Sequence, residues 1–226
     1  MNAITSAERT RLTAPTEFLD YETDAVQAFI DHAVADRAAD ERRLAVELYY
    51  AVRDDVFYEV YGADLSPEGL RASNVAAGRK GFCLHKSVLY AAVCRAVGIP
   101  ARLHYGDVRN HLASDRLRSH IGGDVFFHGL NTVYLNGTWV KATPVFNKIL
   151  CRLYGMKPLE FDGTADSVHH PFDEQGNKNM EFVADHGDFD DVPYTFIMSQ
   201  MRRKHPRFLD GDGTVRGGSL AAEATG

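Results

Sequence analysis

Cysteine is scarce in this chain: three among 226 residues, Cys83, Cys94 and Cys151, an odd number with no CxxC spacing. That pattern excludes a disulfide framework and a structural zinc site of the usual ligand spacing. Long apolar runs are missing as well, and none reaches the roughly 20 residues of a membrane-spanning helix. The opening Met1-Asn2-Ala3-Ile4-Thr5 has neither the basic nor the apolar region of a secretory signal. Basic residues are outnumbered: 25 Lys and Arg against 31 Asp and Glu give a formal net charge of -6. An acidic balance argues against a nucleic-acid partner, which needs a basic stripe. His104, His111, His120, His169, His170 and His186 show no paired metal-motif spacing. Asp210-Gly211-Asp212-Gly213 lacks the terminal glutamate of a calcium loop. From these absences we expect a cytoplasmic protein with no cofactor, no metal, no nucleic acid and no membrane partner. Its oligomeric state is not legible.

What is present suits one globular domain: 45% hydrophobic and 25% charged residues, with no internal repeat. The expected organisation is a flexible N-terminal arm over 1–15, a single domain over 16–209 and a flexible tail over 210–226. Helices are expected over 22–37, 40–52 and 83–97, a strand over 101–105, and a short helix over 194–201. The stretches 106–123 and 147–193 read as polar connections and surface loops, the cluster Asp185, Asp188, Asp190 and Asp191 as a solvated part of the latter.

Two features carry chemistry. The first is Gly81-Phe82-Cys83-Leu84-His85-Lys86-Ser87-Val88-Leu89, which sets Cys83 at the foot of an apolar helix ending at Gly98-Ile99-Pro100. Unpaired N–H groups and the helix dipole there favour thiolate over thiol, so Cys83 is expected to be a reactive nucleophile. Cys94 lies inside the same helix and is expected in the core, and His85 points to another side. The second is a β-rich run over 125–135 that contains His128, followed by Asn136-Gly137 and a second run over 138–143. Asn-Gly between two such runs predicts a hairpin, because a type I′ turn needs positive φ at both positions. Nucleophile and base together are the minimum for acyl transfer.

Gly81-Phe82-Cys83, Ala96-Val97-Gly98-Ile99-Pro100-Ala101-Arg102, His128 and Gly137-Thr138-Trp139-Val140-Lys141-Ala142-Thr143-Pro144 follow one another in a set order. In this order they resemble the transglutaminase-like superfamily, a papain-type branch of cysteine acyl-transfer enzymes, over roughly a third of the chain. The resemblance implies an α+β fold: a papain/transglutaminase-like core with the nucleophile helix packed on an antiparallel sheet, and N-terminal helices beside it. It also implies Cys83 as nucleophile and His128 as base. The family has an aspartate before the proline of the last strand, and this chain has Thr143 there.

A two-residue Asn136-Gly137 turn pairs Leu135 with Thr138 and Val133 with Val140, and extrapolates to Leu130 with Thr143. Thr143 and Asn147 then become diagonal neighbours of His128 on one sheet face. The expected triad is Cys83–His128–Thr143, with Asn147 as the other neutral acceptor for the imidazole. The oxyanion is expected to lie at the Cys83 N–H with a second donor near Tyr58. The expected function is acyl transfer on a peptide, amide or thioester substrate through a thioester acyl-enzyme, with water or an amine as acceptor. The alternative is a catalytically impaired domain that keeps the cleft to bind a peptide or partner, favoured by Thr143 in place of a carboxylate.

Overall fold

The computed structural model describes residues 3–111, 115–169, 180–206 and 219–220. Four helices come first: α1 (Ser6–Thr13), α2 (Asp24–Ala33), α3 (Glu41–Asp55) and, after the two-residue strand β1 (Phe57–Tyr58), α4 (Ala72–Gly78). Strand β2 (Lys80–Gly81) leads straight into α5 (Cys83–Ala96), and β3 (Ala101–Asn110) follows. Then come α6 (Asp115–Ile121), β4 (Val125–Leu135), β5 (Thr138–Ala142), α7 (Lys148–Leu153), β6 (Met180–Phe189) and α8 (Tyr194–Lys204). The class is α+β: an antiparallel sheet ordered β5-β4-β3-β6, with a two-stranded parallel pair of β1 and β2 beside it.

The central element is α5, buried continuously from Cys83 to Arg95. Its leucine, valine and alanine side chains pack against α1 to α4 on one side and β3 and β4 on the other. It ends as the sequence predicts. Gly98 takes φ +84°, Gly98 N–H donates to Arg95 O and Ile99 N–H to Cys94 O, which is a Schellman cap. Gly129, on β4, faces this helix so closely that a Cβ there would lie 3.0 Å from Ser87 Oγ. The hairpin also holds: Asn136 and Gly137 have φ of +50° and +83°, and Leu135 pairs with Thr138 and Val133 with Val140.

Several expectations change. Residues 1–15 are not a loose arm throughout: α1 has a Thr5/Glu8 capping box and buries Leu12. Part of 106–123 extends β3 or forms α6, and part of 147–193 forms α7 and β6. Pairing with β3 makes β6 a strand, although its own residues have little alternation. That pairing also removes the acidic cluster from solvent-only contacts. Asp190 binds Arg102 and Arg11, Asp188 binds His104 at 2.8 Å, and Asp191 accepts from Thr16 at 2.7 Å. Leu220, expected in a flexible tail, is buried, with its N–H on Glu59 Oε2 and its carbonyl on Tyr154. His170 and Asp210-Gly211-Asp212-Gly213 lie outside the described residues.

Candidate active site

Local packing forces the chain to turn abruptly at Cys83. β1 and β2 pair in parallel, with Tyr58 opposite Gly81, two residues before the cysteine. Gly81 has no alternative, since a Cβ there would sit 2.5 Å from the Cβ of His85. Phe82 is the extended N-cap and supplies no capping side chain. The backbone N–H groups of Gly129, Leu84 and Cys83 itself are placed so that they lower the thiol's pKa. The first of these is available because β5 leaves the ladder after Ala142, paired with Asn131, so Gly129 has no β5 partner.

Gly129 follows His128, and Cys83 and His128 line the same cavity. His128 lies opposite Gly106 on β3, where the missing side chain leaves room for the imidazole. Phe182 packs over the same spot, 3.2 Å from where a Gly106 Cβ would be, with its ring 6.1 Å from that of His128. The His128 Nε2 is buried and has no hydrogen-bond partner among the described residues.

Burial decides the charge state of both groups. It pushes the Cys83 thiol up to about 12, against the three backbone donors that lower it. It holds the His128 imidazole down to about 3, helped by the nearby His169 and His104. The resting site thus has a thiol and a neutral imidazole lining one cavity. The thiolate expected from the helix terminus alone is overruled, because desolvation penalises the charged form more than the N–H groups favour it. Tyr58, which lines the same cavity as Cys83, is also pushed well above the ordinary phenol value by burial.

Thr143 is buried, but its hydroxyl has no hydrogen-bond partner among the described residues, so the expected Thr143–His128 bond is not made in this structure. Its carbonyl instead accepts from the Tyr49 hydroxyl at 3.0 Å. Asn147 is fully committed elsewhere. Its Oδ1 accepts from Tyr58 N–H at 2.6 Å, and its Nδ2 donates to the carbonyls of Arg53 and Val56 at the end of α3. Asn147 therefore holds β1 in place and is not available to His128. The Tyr58 N–H is occupied by the same bond, which leaves the phenol, not the backbone, as what Tyr58 offers the cavity. Lys86 caps the same α3 carbonyls, donating to Arg53 O at 2.9 Å and Val56 O at 2.6 Å.

One residue that sequence reasoning placed among scattered loop histidines belongs here. A parallel bridge between Ala142 and Ser167 carries His169 to within 5.9 Å of the His128 ring, edge to face. Nothing in the local sequence signals this, since the contact is made by a long-range bridge. The structure buries Cys94 and Cys151, and His85 Nε2–H donates to the Asp64 carbonyl at 2.8 Å. Among the described residues no group of three or more His, Cys, Asp or Glu is placed to hold a metal ion. No helix among them is long and apolar enough to cross a membrane.

A nucleophile helix on an antiparallel sheet, with a cysteine at its foot and a histidine on the adjoining strand, defines a papain-like fold. The family model of the transglutaminase-like superfamily matches residues 28–144, a span that includes Cys83, His128 and Thr143, and the chain belongs to that superfamily. Among solved structures, a candidate cysteine protease from Cytophaga hutchinsonii is similar, with 17% identity and a TM-score of 0.50. The match covers 84% of this chain and 49% of that one, so this chain spans about half its length. No curated protein matches the chain.

Proposed function

We propose that the protein is a cysteine acyltransferase or amide hydrolase that works through a thioester on Cys83. The supporting observation is the shared cavity, lined by both the Cys83 thiol and a His128 imidazole whose buried Nε2 has no hydrogen-bond partner among the described residues. A buried histidine without a partner has no evident stabilising role, because an unsatisfied polar atom in the interior is destabilising. As a base it has one.

In the first step the His128 imidazole takes the Cys83 proton while the sulfur attacks an amide or thioester carbonyl. The Cys83 N–H and the Tyr58 phenol face the developing oxyanion. Collapse forms the thioester and breaks the bond to the leaving group, which receives the proton from His128. Water or an amine then loses a proton to His128, attacks the thioester and restores the thiol. Thr143 is the neutral third member in this reading: it directly follows Ala142, the last paired residue of β5, and its buried hydroxyl has no hydrogen-bond partner among the described residues. Its unpartnered hydroxyl would accept the imidazole N–H. A neutral acceptor stabilises imidazolium less than a carboxylate does, so a modest rate is expected.

The test is intact-mass detection of an acyl-enzyme from activated thioesters, with turnover measured in parallel. Acylation at Cys83 is expected, with Cys83→Ala and His128→Ala each lowering turnover by about 10³-fold or more. Unchanged turnover in Cys83→Ala would refute the mechanism. A folded wild type that no donor acylates would favour the partner-binding reading instead.

A further inference from the structure

We infer that the cavity at Cys83 takes an apolar acyl group of about six to eight carbon atoms, so that the site's substrates are medium-length apolar acyl donors. This rests on the acyl-transfer reading above and names the part of the substrate that stays on the enzyme. Among the described residues, no Lys, Arg, Asp or Glu lines the cavity. Its walls come from Val60, Phe127, Leu150, Met180, Met201 and Leu220, all buried. Glu59, between Tyr58 and Val60 in sequence, is occupied by the N–H groups of Val60, Tyr61 and Leu220.

The second histidine of the lining is locked neutral. His205 Nε2 accepts from Phe127 N–H at 3.1 Å, which leaves Nδ1–H to donate to Ile121 O at 3.1 Å. Its position therefore offers neither a cation nor a spare acceptor. A charged acyl group would lose its hydration here without gaining a counter-charge. Methionines suit a flexible chain, because an unbranched thioether adapts to what it packs on.

Size sets the length. The volume open to the centre of a water molecule is about 80 Å³, room for about five to eight waters and so for a similar number of chain atoms. The assignment to the acyl side follows from the order of events. The leaving group must depart and the acceptor must enter between the two steps, whereas the acyl group stays on sulfur throughout. The pocket walled by buried side chains suits the part that stays.

The experiment compares S-acetyl, S-succinyl and S-octanoyl N-acetylcysteamine as donors to the full chain, and measures octanamide binding to Cys83→Ala calorimetrically. In each acylation the Cys83–sulfur bond to the acyl carbon forms, the thioester bond breaks, and N-acetylcysteamine leaves as the free thiol with the cysteine's proton. At about fourfold per buried methylene, octanoyl should exceed acetyl by at least about 100-fold in kcat/KM, with succinyl below acetyl. Octanamide should bind the variant. Acylation that is as fast from acetyl or succinyl as from octanoyl overturns the apolar assignment and leaves the enzymatic reading standing. Octanamide binding without acylation from any donor overturns the enzymatic reading and keeps the cavity as an apolar site. Neither binding nor acylation overturns both.

Discussion

At Cys83 two effects of opposite sign act on one proton. Three backbone N–H groups favour the thiolate and burial favours the thiol, and burial wins, leaving the group at about 12. At His128 burial again favours the uncharged form, at about 3. Reactive catalysis from this state needs a neutral imidazole and a protonated thiol, and both exist together at any pH between those two values. The sign is therefore settled on each side: activity would be lost only below the His128 value, as it protonates, or above the Cys83 value. We expect kcat/KM for an activated thioester to stay level, within about twofold, from about pH 5 to pH 9 wherever the protein is folded. A thiolate–imidazolium pair would instead give a bell, and an acid limb centred near 6 would show His128 titrating at its ordinary value. The same balance predicts slow alkylation of the resting thiol by iodoacetamide at neutral pH, because the thiolate is the nucleophile.

One contact between elements governs the alignment of these residues: β4 against α5 at Gly129. A Cβ there would lie 3.0 Å from Ser87 Oγ, 3.2 Å from Leu84 Cδ2 and 3.3 Å from Tyr105 Cε1. Gly129→Ala therefore needs these side chains or the strand to give way by a few tenths of an ångström, and in this tightly packed site we expect the strand to shift. That shift weakens the Gly129 N–H contact to sulfur and displaces His128 beside it. We expect a stability loss of about 1–2 kcal/mol by urea unfolding and at least about a tenfold fall in kcat. An unchanged kcat would show that the strand's approach does not position the histidine. The elements that hold this contact were legible in the sequence because their signals are local. Gly98-Ile99-Pro100 encodes the end of α5, and Asn136-Gly137 encodes the hairpin and hence its register. The Thr5/Glu8 pair of α1 was also a readable capping box, and its helix was missed by treating an N-terminus as loose. By contrast, β6 owes its extended form to pairing with β3, since Asp185, Gly187 and Asp188 have little strand preference of their own. His169 reaches His128 only through the Ala142–Ser167 bridge. Nor could spacing reveal that Asn147 would be consumed by the end of α3, or that burial would outweigh a helix terminus at Cys83. Those depend on which surfaces meet.

For the whole molecule, the buried histidines turn the fold's own packing into a pH sensitivity. His85, His128 and His205 are all depressed by burial, while the unfolded chain takes up protons near the ordinary histidine value of about 6.5. Below that value the unfolded state binds more protons than the folded state, so stability rises with pH and is lost as pH falls. Each histidine that stays neutral contributes a slope of about 1.4 kcal/mol per pH unit, and for His128 the window runs down to about 3. Asp54 and Asp188 are lowered by their hydrogen bonds and ion pairs, against the burial that raises them. Their contribution is present above the ordinary carboxylate value of about 3.9 and is lost only as pH falls below it, a separate and lower window. Between about pH 6.5 and pH 4.5 the histidines therefore act without them. Against a typical total of about 5–15 kcal/mol, the His128 slope alone removes about 2–3 kcal/mol between about pH 6.5 and pH 4.5, and His85 and His205 add to the loss in the same direction. Urea unfolding free energies measured at half-unit steps across this range should fall with pH, with a proton uptake of at least about one on unfolding. A flat profile down to about pH 4.5 would mean that these imidazoles are protonated in the folded state, and the neutral thiol–imidazole pair at Cys83 would fall with it.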